Sequence, residues 1–142
     1  MKIMAIDYGD AHTGIAISDY TETLAGYSDT LHSRRQEEVL SGIQRLIAEH
    51  GVQLLVLGYP RNMDGTEGER AAKSRKLATT VKLWSGLPVR MWDERQTTCA
   101  AADLLDESGT FGTKRKEILD SVSATVILDD YLAWRKEHPG EI

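Results

Sequence analysis

Residues 52–58, with the sequence VQLLVLG, form a short and almost continuous apolar run that constrains the fold more than any other feature. Such a run is typical of a strand that lies in a parallel sheet and is buried on both faces. A segment with apolar residues at helical spacing precedes it, and a second helical segment and a strand at residues 88–92 follow it. This alternation predicts an α/β domain.

The first 31 residues predict three further strands. Residues 2–7 and 14–18 flank a polar turn that contains Gly9, which is typical of a β-hairpin, and a third strand is expected within residues 22–31. The predicted fold is therefore a mixed five-stranded sheet, with three antiparallel leading strands, then parallel strands, and helices on both faces.

Local motifs predict where the helices begin and end. Residues 33–36 (S-x-x-Q) and 66–69 (T-x-x-E) match the capping box that starts a helix, and Gly51 and Gly86 are expected to end the two helices. The second helix is expected to present one apolar face to the core. That face consists of Ala71, Ser74, Leu77, Ala78, Val81 and Trp84.

The last third of the chain predicts two more helices. The first runs from Thr97 or Thr98 to about Glu107, a flexible basic loop is expected at residues 108–116, and the last helix covers about residues 116–135. The last helix is expected to face inward through four residues. These are Ile118, Leu119, Val122 and Val126.

Length and composition predict one domain over residues 1–142, with a core at about 1–135 and a short polar tail at 136–142. A single cysteine excludes an internal disulfide, and no apolar stretch approaches the ~18 residues of a membrane span. Because an Asp occurs at position 7, the start of the chain lacks the apolar core of a signal peptide. We therefore expect a soluble cytoplasmic protein that does not contact a membrane.

Charge is distributed unevenly along the chain. The net charge is −5, yet residues 70–95 carry seven basic and two acidic side chains. This basic middle has two interpretations, a surface that binds a polyanion or one solvated helix face.

Three carboxylates occur at positions where α/β sheets collect their functional groups. Asp7 ends the first strand, Glu94 follows the strand at residues 88–92, and Asp120 lies early in the last helix. Each has a structural alternative, as a turn residue, an ion-pair partner or a favourable charge at a helix start. Together they are also suited to bind Mg²⁺ or Mn²⁺, which prefer oxygen ligands.

The opening hairpin has a second possible meaning. Its Asp7-Tyr8-Gly9 turn resembles the phosphate-binding hairpin of actin-like and sugar-kinase ATPases. Those folds need two related lobes, and 142 residues supply only one, so this alternative requires a dimer around a nucleotide.

Four blocks in order resemble the YqgF-type family of bacterial RNase H-like proteins, known as Holliday junction resolvases or pre-16S rRNA nucleases. They are residues 5–9 with 14–19, residues 58–60 with 63–65, residues 93–95 with 97–98, and residues 118–124 with 127–128. The resemblance implies that Asp7, Glu94 and Asp120 are the catalytic and metal-binding residues of a two-metal phosphodiester hydrolase using Mg²⁺ or Mn²⁺.

The resemblance implies a function in ribosome biogenesis, processing of the 5′ end of precursor 16S rRNA. Cleavage of DNA four-way junctions in recombination and repair is one alternative, and a non-catalytic RNA-binding assembly factor is another. The expected partner is structured nucleic acid, with RNA favoured, bound by a monomer or a homodimer.

Weighed with this resemblance, the basic middle favours a nucleic-acid interface. Its expected contacts are Gly9, His12, Arg61, Arg70, Lys73, Arg95, Lys114 and Lys116. His12 replaces an arginine that is usual in the hairpin of this family, which removes a permanent cation there.

Overall fold

The computed structural model describes residues 1–9, 11–59, 68–93 and 112–140, with the backbone alone at 93 and 112–121. Five strands and three helices occur in these ranges. The strands are β1 (Lys2–Asp7), β2 (His12–Ser18), β3 (Ala25–His32), β4 (Val52–Tyr59) and β5 (Val89–Asp93). The helices are α1 (Gln36–His50), α2 (Glu69–Ser85) and α3 (Gly112–Glu137).

The strands form one mixed sheet in the order β3-β2-β1-β4-β5. The pairs β1–β2 and β2–β3 are antiparallel, whereas β1–β4 and β4–β5 are parallel. The predicted sheet is therefore confirmed. Strand β4 lies beside β1 with Ile6 opposite Leu57, and five of its eight residues are buried in succession, as expected for a strand covered on both faces.

Helices α1 and α2 cover one face of the sheet. Val39, Ile43 and Leu46 of α1 and Leu77 and Val81 of α2 are buried in one apolar cluster with the strands. Both helices end at glycines with a left-handed backbone, Gly51 at φ 68° and Gly86 at φ 71°. A side chain at such a φ strains the backbone, which explains why glycine stands there.

Two details of these helices differ from the prediction. The residue before α1 is Arg35, two positions after Ser33, and no side chain caps this helix. The Ser33 oxygen accepts from the backbone N–H of Arg35 at 3.0 Å, and its hydroxyl donates to Glu38 Oε2 at 2.6 Å. Gly68 precedes α2, again without a side-chain cap, and residues 66–67 of the second motif lie outside the described residues. On the predicted α2 face, the first five residues are buried but Trp84 is 45% exposed, since it lies in the last turn beyond the sheet-facing surface.

Helix α3 covers the opposite face. Ala124, Ile127 and Tyr131 are buried in a second apolar cluster, which includes Ala5 and Ala16 of the sheet. The small side chains allow the helix backbone to approach the strands closely, and this sets which face of the helix points inward.

The prediction for the last helix was therefore partly wrong. Val122 and Val126 are only partly buried, and the side chains of residues 118 and 119 lie outside the description. The helix also begins at Gly112 and ends at Glu137, so residues 112–116, expected in a loop, are helical. The predicted helix at residues 97–107 lies outside the described residues.

Within the described ranges, every helix is too short or too polar to cross a bilayer.

Candidate active site at the carboxyl end of the first strand

The carboxylate of Asp7 stands at the carboxyl end of β1, in the centre of the sheet. Asp7 lies opposite Gly14 in the antiparallel β1–β2 pair, and β4 runs parallel on the other side. Because side chains alternate along a strand, Asp7 points to the face of Ile3 and Ala5, which is the α3 face. Asp7 is only 4% exposed, so its charge needs a partner.

Arg70 supplies that partner from the first turn of α2. Its Nη2 lies 3.4 Å from Asp7 Oδ1 and also 3.4 Å from the backbone oxygen of Tyr8. The Arg70 side chain is 51% exposed, whereas that of Asp7 is 5% exposed. The guanidinium therefore covers a buried carboxylate while itself remaining open to solvent and to a ligand.

The surroundings of Asp7 fit a divalent metal ion in part. A buried carboxylate at a strand end offers the oxygen ligand that Mg²⁺ and Mn²⁺ prefer. Among the described side chains, no group of three or more His, Cys, Asp or Glu is placed to hold a metal. A complete centre at Asp7 therefore requires ligands from outside that set.

The two other predicted carboxylates are only partly located. Asp120 lies in α3, one helical turn before Ala124, and only its backbone is described. Ala124 is buried in the same apolar cluster as Ala5 of β1. Helix α3 thus carries Asp120 on the same side of the sheet as the Asp7 side chain. Glu94 lies outside the described residues.

The hairpin turn beside Asp7 is tightly packed. A Cβ placed on Gly9 would lie 2.3 Å from the backbone oxygen of His12, so only glycine fits there. His12 faces His32 on β3, with their Nδ1 atoms 2.9 Å apart and their rings 5.0 Å apart in an edge-on arrangement. His12 therefore has a hydrogen-bonding neighbour in His32 beside the candidate site.

The remaining predicted contacts divide into three groups. Lys73 lies one turn after Arg70 on α2 and pairs with Glu69 at 3.6 Å. Lys114 and Lys116 lie in the first turns of α3, where only the backbone is described. Arg61 and Arg95 lie outside the described residues.

Sequence reasoning missed one cation that approaches this region. Arg34 lies just before α1 and lines a pocket of about 220 Å³ with Tyr8, Lys73 and Lys76. In the sequence, the two adjacent arginines Arg34 and Arg35 just before a predicted helix indicate a cation in this region. The sequence does not reveal which of the two arginines faces α2, because that depends on how the helices pack.

The mixed sheet, the helices on both faces and the buried carboxylate that ends the first strand define an RNase H-like domain. A family model described as "RuvX: Holliday junction resolvase" matches residues 1–134, and the chain belongs to this family. The predicted family and fold are therefore confirmed. Members of this family act on nucleic acid and use divalent metal ions.

Similar proteins were found by sequence and by structure. A Halothermothrix orenii protein named "Putative pre-16S rRNA nuclease" is 37% identical over 140 residues, which cover 99% of this chain and 100% of the relative. A Desulfitobacterium hafniense protein of the same name is 36% identical over 141 residues, covering 99% and 98%. RuvC of T. thermophilus, in complex with a Holliday junction substrate, has a TM-score of 0.58 at 11% identity over 96% of each chain, which shows a shared fold.

Proposed function

We propose that this protein is a metal-dependent endonuclease that processes the 5′ end of precursor 16S rRNA in the cytoplasm. The observation that carries the proposal is the buried Asp7 carboxylate at the end of β1, in a chain 37% identical to a relative named as a pre-16S rRNA nuclease. The proposal assigns hydrolysis of a phosphodiester bond to this end of the sheet.

Asp7, Glu94 and Asp120 would hold the metal, and Mg²⁺ or Mn²⁺ is the proposed ion. When bound, such ions stabilise the charge on the attacking and leaving oxygens of a phosphodiester. Asp7 is suited to a fixed ligand role because it is buried at the end of a central strand and cannot move far.

Arg70 would help to bind the substrate. Its guanidinium is half-exposed, carries a permanent charge and can donate two parallel hydrogen bonds to a phosphate. In the absence of nucleic acid it balances the Asp7 charge across 3.4 Å. Arg70 can therefore stabilise the fold before nucleic acid binds and can bind a phosphate afterwards.

Cleavage of a DNA four-way junction is the second candidate. The family description and the shared fold with RuvC favour it, and a carboxylate site can act on either backbone. A junction has two strands to cut, so this candidate also needs a dimer, whereas processing of one RNA strand is compatible with a monomer.

The test combines three substrates with three metal conditions. Purified protein is incubated with precursor 16S rRNA, unstructured single-stranded RNA and a DNA four-way junction, each with Mg²⁺, Mn²⁺ or a chelator. We expect metal-dependent cleavage of the precursor, and no cleavage in chelator. Preferential cleavage of the junction would replace the first candidate by the second, and binding without cleavage would indicate an assembly factor.

Matched substitutions locate the reaction. Asp7→Asn keeps the side-chain shape and removes the charge, and we expect it to lower the cleavage rate at least ~100-fold, in the range seen when a key electrostatic group is removed. Asp129→Asn is the control, because Asp129 is exposed on α3 in a later part of the helix. Equal activity of the two variants would exclude Asp7 as a catalytic residue.

A further inference from the structure

A small pocket between the start of α1 and the first half of α2 concentrates positive charge. Its volume is about 220 Å³. We call it the α1–α2 pocket, and its lining residues are Tyr8, Arg34, Gln36, Lys73 and Lys76. Three of these five carry a positive charge and none is acidic, although the whole chain has a net charge of −5.

The pocket adjoins the candidate active site. Tyr8 directly follows Asp7, and its backbone oxygen lies 3.4 Å from Arg70 Nη2. Arg70, Lys73 and Lys76 follow one another at i, i+3 and i+6 on α2, so each is a surface neighbour of the next. Six residues of helix advance about 9 Å along its axis. The cations therefore form a line from the carboxylate to the pocket.

Two of the pocket cations are available to a ligand. Among the described residues, neither Arg34 nor Lys76 pairs with a carboxylate, and both are exposed. The neighbouring Arg35, by contrast, pairs with Glu37 at 3.1 Å and with Glu38 at 3.6 Å. Of the adjacent arginines, only Arg34 lines the pocket.

The chemistry of the lining identifies the ligand. Arg34 offers a planar fork of donors that matches a phosphate, Lys76 offers a compact ammonium, and the Gln36 amide offers a neutral donor. The volume falls below the 300–1,000 Å³ that is usual for pockets of drug-sized molecules, so it suits one phosphate group better than a whole nucleotide.

We propose that the α1–α2 pocket binds a backbone phosphate of the nucleic acid that flanks the phosphate cut at Asp7. This inference rests on the proposed function, because it takes Asp7 as the point of cleavage. The pocket would hold the flanking strand in place through Arg34 and Lys76 while Arg70 remains at the site of reaction.

The experiment measures binding in chelator, so that cleavage does not enter. Fluorescence anisotropy with a labelled precursor 16S rRNA fragment gives Kd at several salt concentrations for Arg34→Gln, Lys76→Gln and the double variant. The matched controls are Arg35→Gln and Lys82→Gln, which remove one charge each from neighbouring positions outside the pocket. Thermal unfolding of each variant verifies that it is folded.

We expect each pocket substitution to raise Kd about threefold to tenfold and to reduce the slope of log Kd against log salt by about 1. The double variant should reduce this slope by about 2, and the Kd of both controls should stay within about twofold of that of the wild type. If pocket and control variants weaken binding equally, the effect is general charge attraction and the proposal is wrong.

Inorganic phosphate distinguishes a backbone phosphate from a free anion. If phosphate alone protects the wild type against unfolding and the RNA affinity is unchanged in the double variant, the pocket is a free-anion site and the proposal is wrong. Failure of this proposal can be distinguished from failure of the proposed nuclease function. A wild type that never cleaves can still show the predicted binding differences, and an active nuclease can still fail to show them.

Discussion

Arg70 places its Nη2 atom 3.4 Å from Oδ1 of Asp7, across 63 positions of sequence. The contact joins the start of α2 to the end of β1 because β4, which precedes α2 in the chain, lies beside β1 in the sheet. A cation at this carboxylate has two consequences that can be measured, one for stability and one for the binding of metal.

Arg70→Ala is expected to lower the unfolding temperature in chelator and to increase the stabilisation that Mg²⁺ provides. Loss of the pair leaves a buried carboxylate without its cation, which we expect to cost about 1 kcal/mol, or about 3 °C for a domain of this size, because Arg70 is half-exposed. Thermal unfolding with and without Mg²⁺ measures both effects.

Arg45→Ala is the control for this prediction. Arg45 is similarly exposed and pairs with Glu49 at 3.9 Å on the surface of α1. Its loss should change the unfolding temperature by less than about 1 °C, as for other surface pairs. A Mg²⁺ effect of the same size in both variants would show that Arg70 does not compete with metal for Asp7.

Gly9→Ala should disrupt the hairpin turn beside Asp7. The new Cβ would lie 2.3 Å from the backbone oxygen of His12, and backbone cannot move aside as a flexible side chain can. We expect a loss of about 1–3 kcal/mol, measured by denaturant unfolding, and a marked loss of nuclease activity.

Gly26→Ala provides the matched comparison. A Cβ at Gly26 meets only the backbone nitrogen of Asp19, at 3.8 Å, which is an ordinary contact. This variant should unfold within about 0.5 kcal/mol of the wild type. Equal stability of Gly9→Ala and Gly26→Ala would contradict the close approach at the hairpin.

Asp19 should make stability depend on acid pH. The backbone N–H of Thr23 donates to its Oδ1 at 3.0 Å, and this bond, with others from the threonine hydroxyls, lowers the pKa of Asp19 from 3.8 to about 2. A carboxyl whose pKa is lower in the folded state stabilises the fold above pH ~4, and this contribution is lost as the pH falls towards 2.

The measurement compares Asp19→Ala with the wild type at pH 7, 4 and 2.5. The difference in unfolding free energy should be largest at pH 7 and should shrink towards pH 2.5. Asp129→Asn should have the opposite sign, a gain in unfolding free energy at pH 7 that also shrinks towards pH 2.5, because partial desolvation on α3 raises the pKa of this surface carboxyl and disfavours its charged form. A constant difference for Asp19→Ala across this range would refute the prediction.

His12→Arg should strengthen binding of nucleic acid. The substitution places a permanent cation in the hairpin that follows Asp7, and it replaces the contact between His12 and His32. We expect Kd for a precursor rRNA fragment to fall about threefold at low salt, with a smaller change at high salt, because salt screens the added charge.

His12→Gln is the control, since it keeps a polar side chain and adds no charge. Its Kd should stay near that of the wild type at every salt concentration. An equal gain in affinity from both substitutions would show that release of His32, rather than the added charge, is responsible.

Much of the fold could be predicted from local patterns. The continuous apolar run at 52–58 identified a central strand, and Gly51 and Gly86 identified two helix ends, because each depends on a residue and its immediate neighbours. The capping prediction at Ser33 was wrong because α1 begins two residues later than the motif implies. The Ser33 oxygen therefore accepts from the N–H of Arg35, which precedes the first turn.

The inward face of α3 could not be predicted in the same way. Apolar spacing favoured Val122 and Val126, but the helix turns Ala124 and its neighbours towards Ala5 and Ala16. The face is set by how closely the helix approaches the sheet, and that depends on small residues in another part of the chain.

The sequence by itself determined the order of the strands and helices that the structure describes, the family and the place of Asp7 at the end of a strand. Only the tertiary structure decides which cations lie near Asp7. Arg70 reaches Asp7, and Arg34 meets Lys76 in one pocket, because the sheet places β1 beside β4 and packs α1 and α2 on the same face. Contacts between residues so far apart depend on strand order and helix packing, which no local pattern specifies.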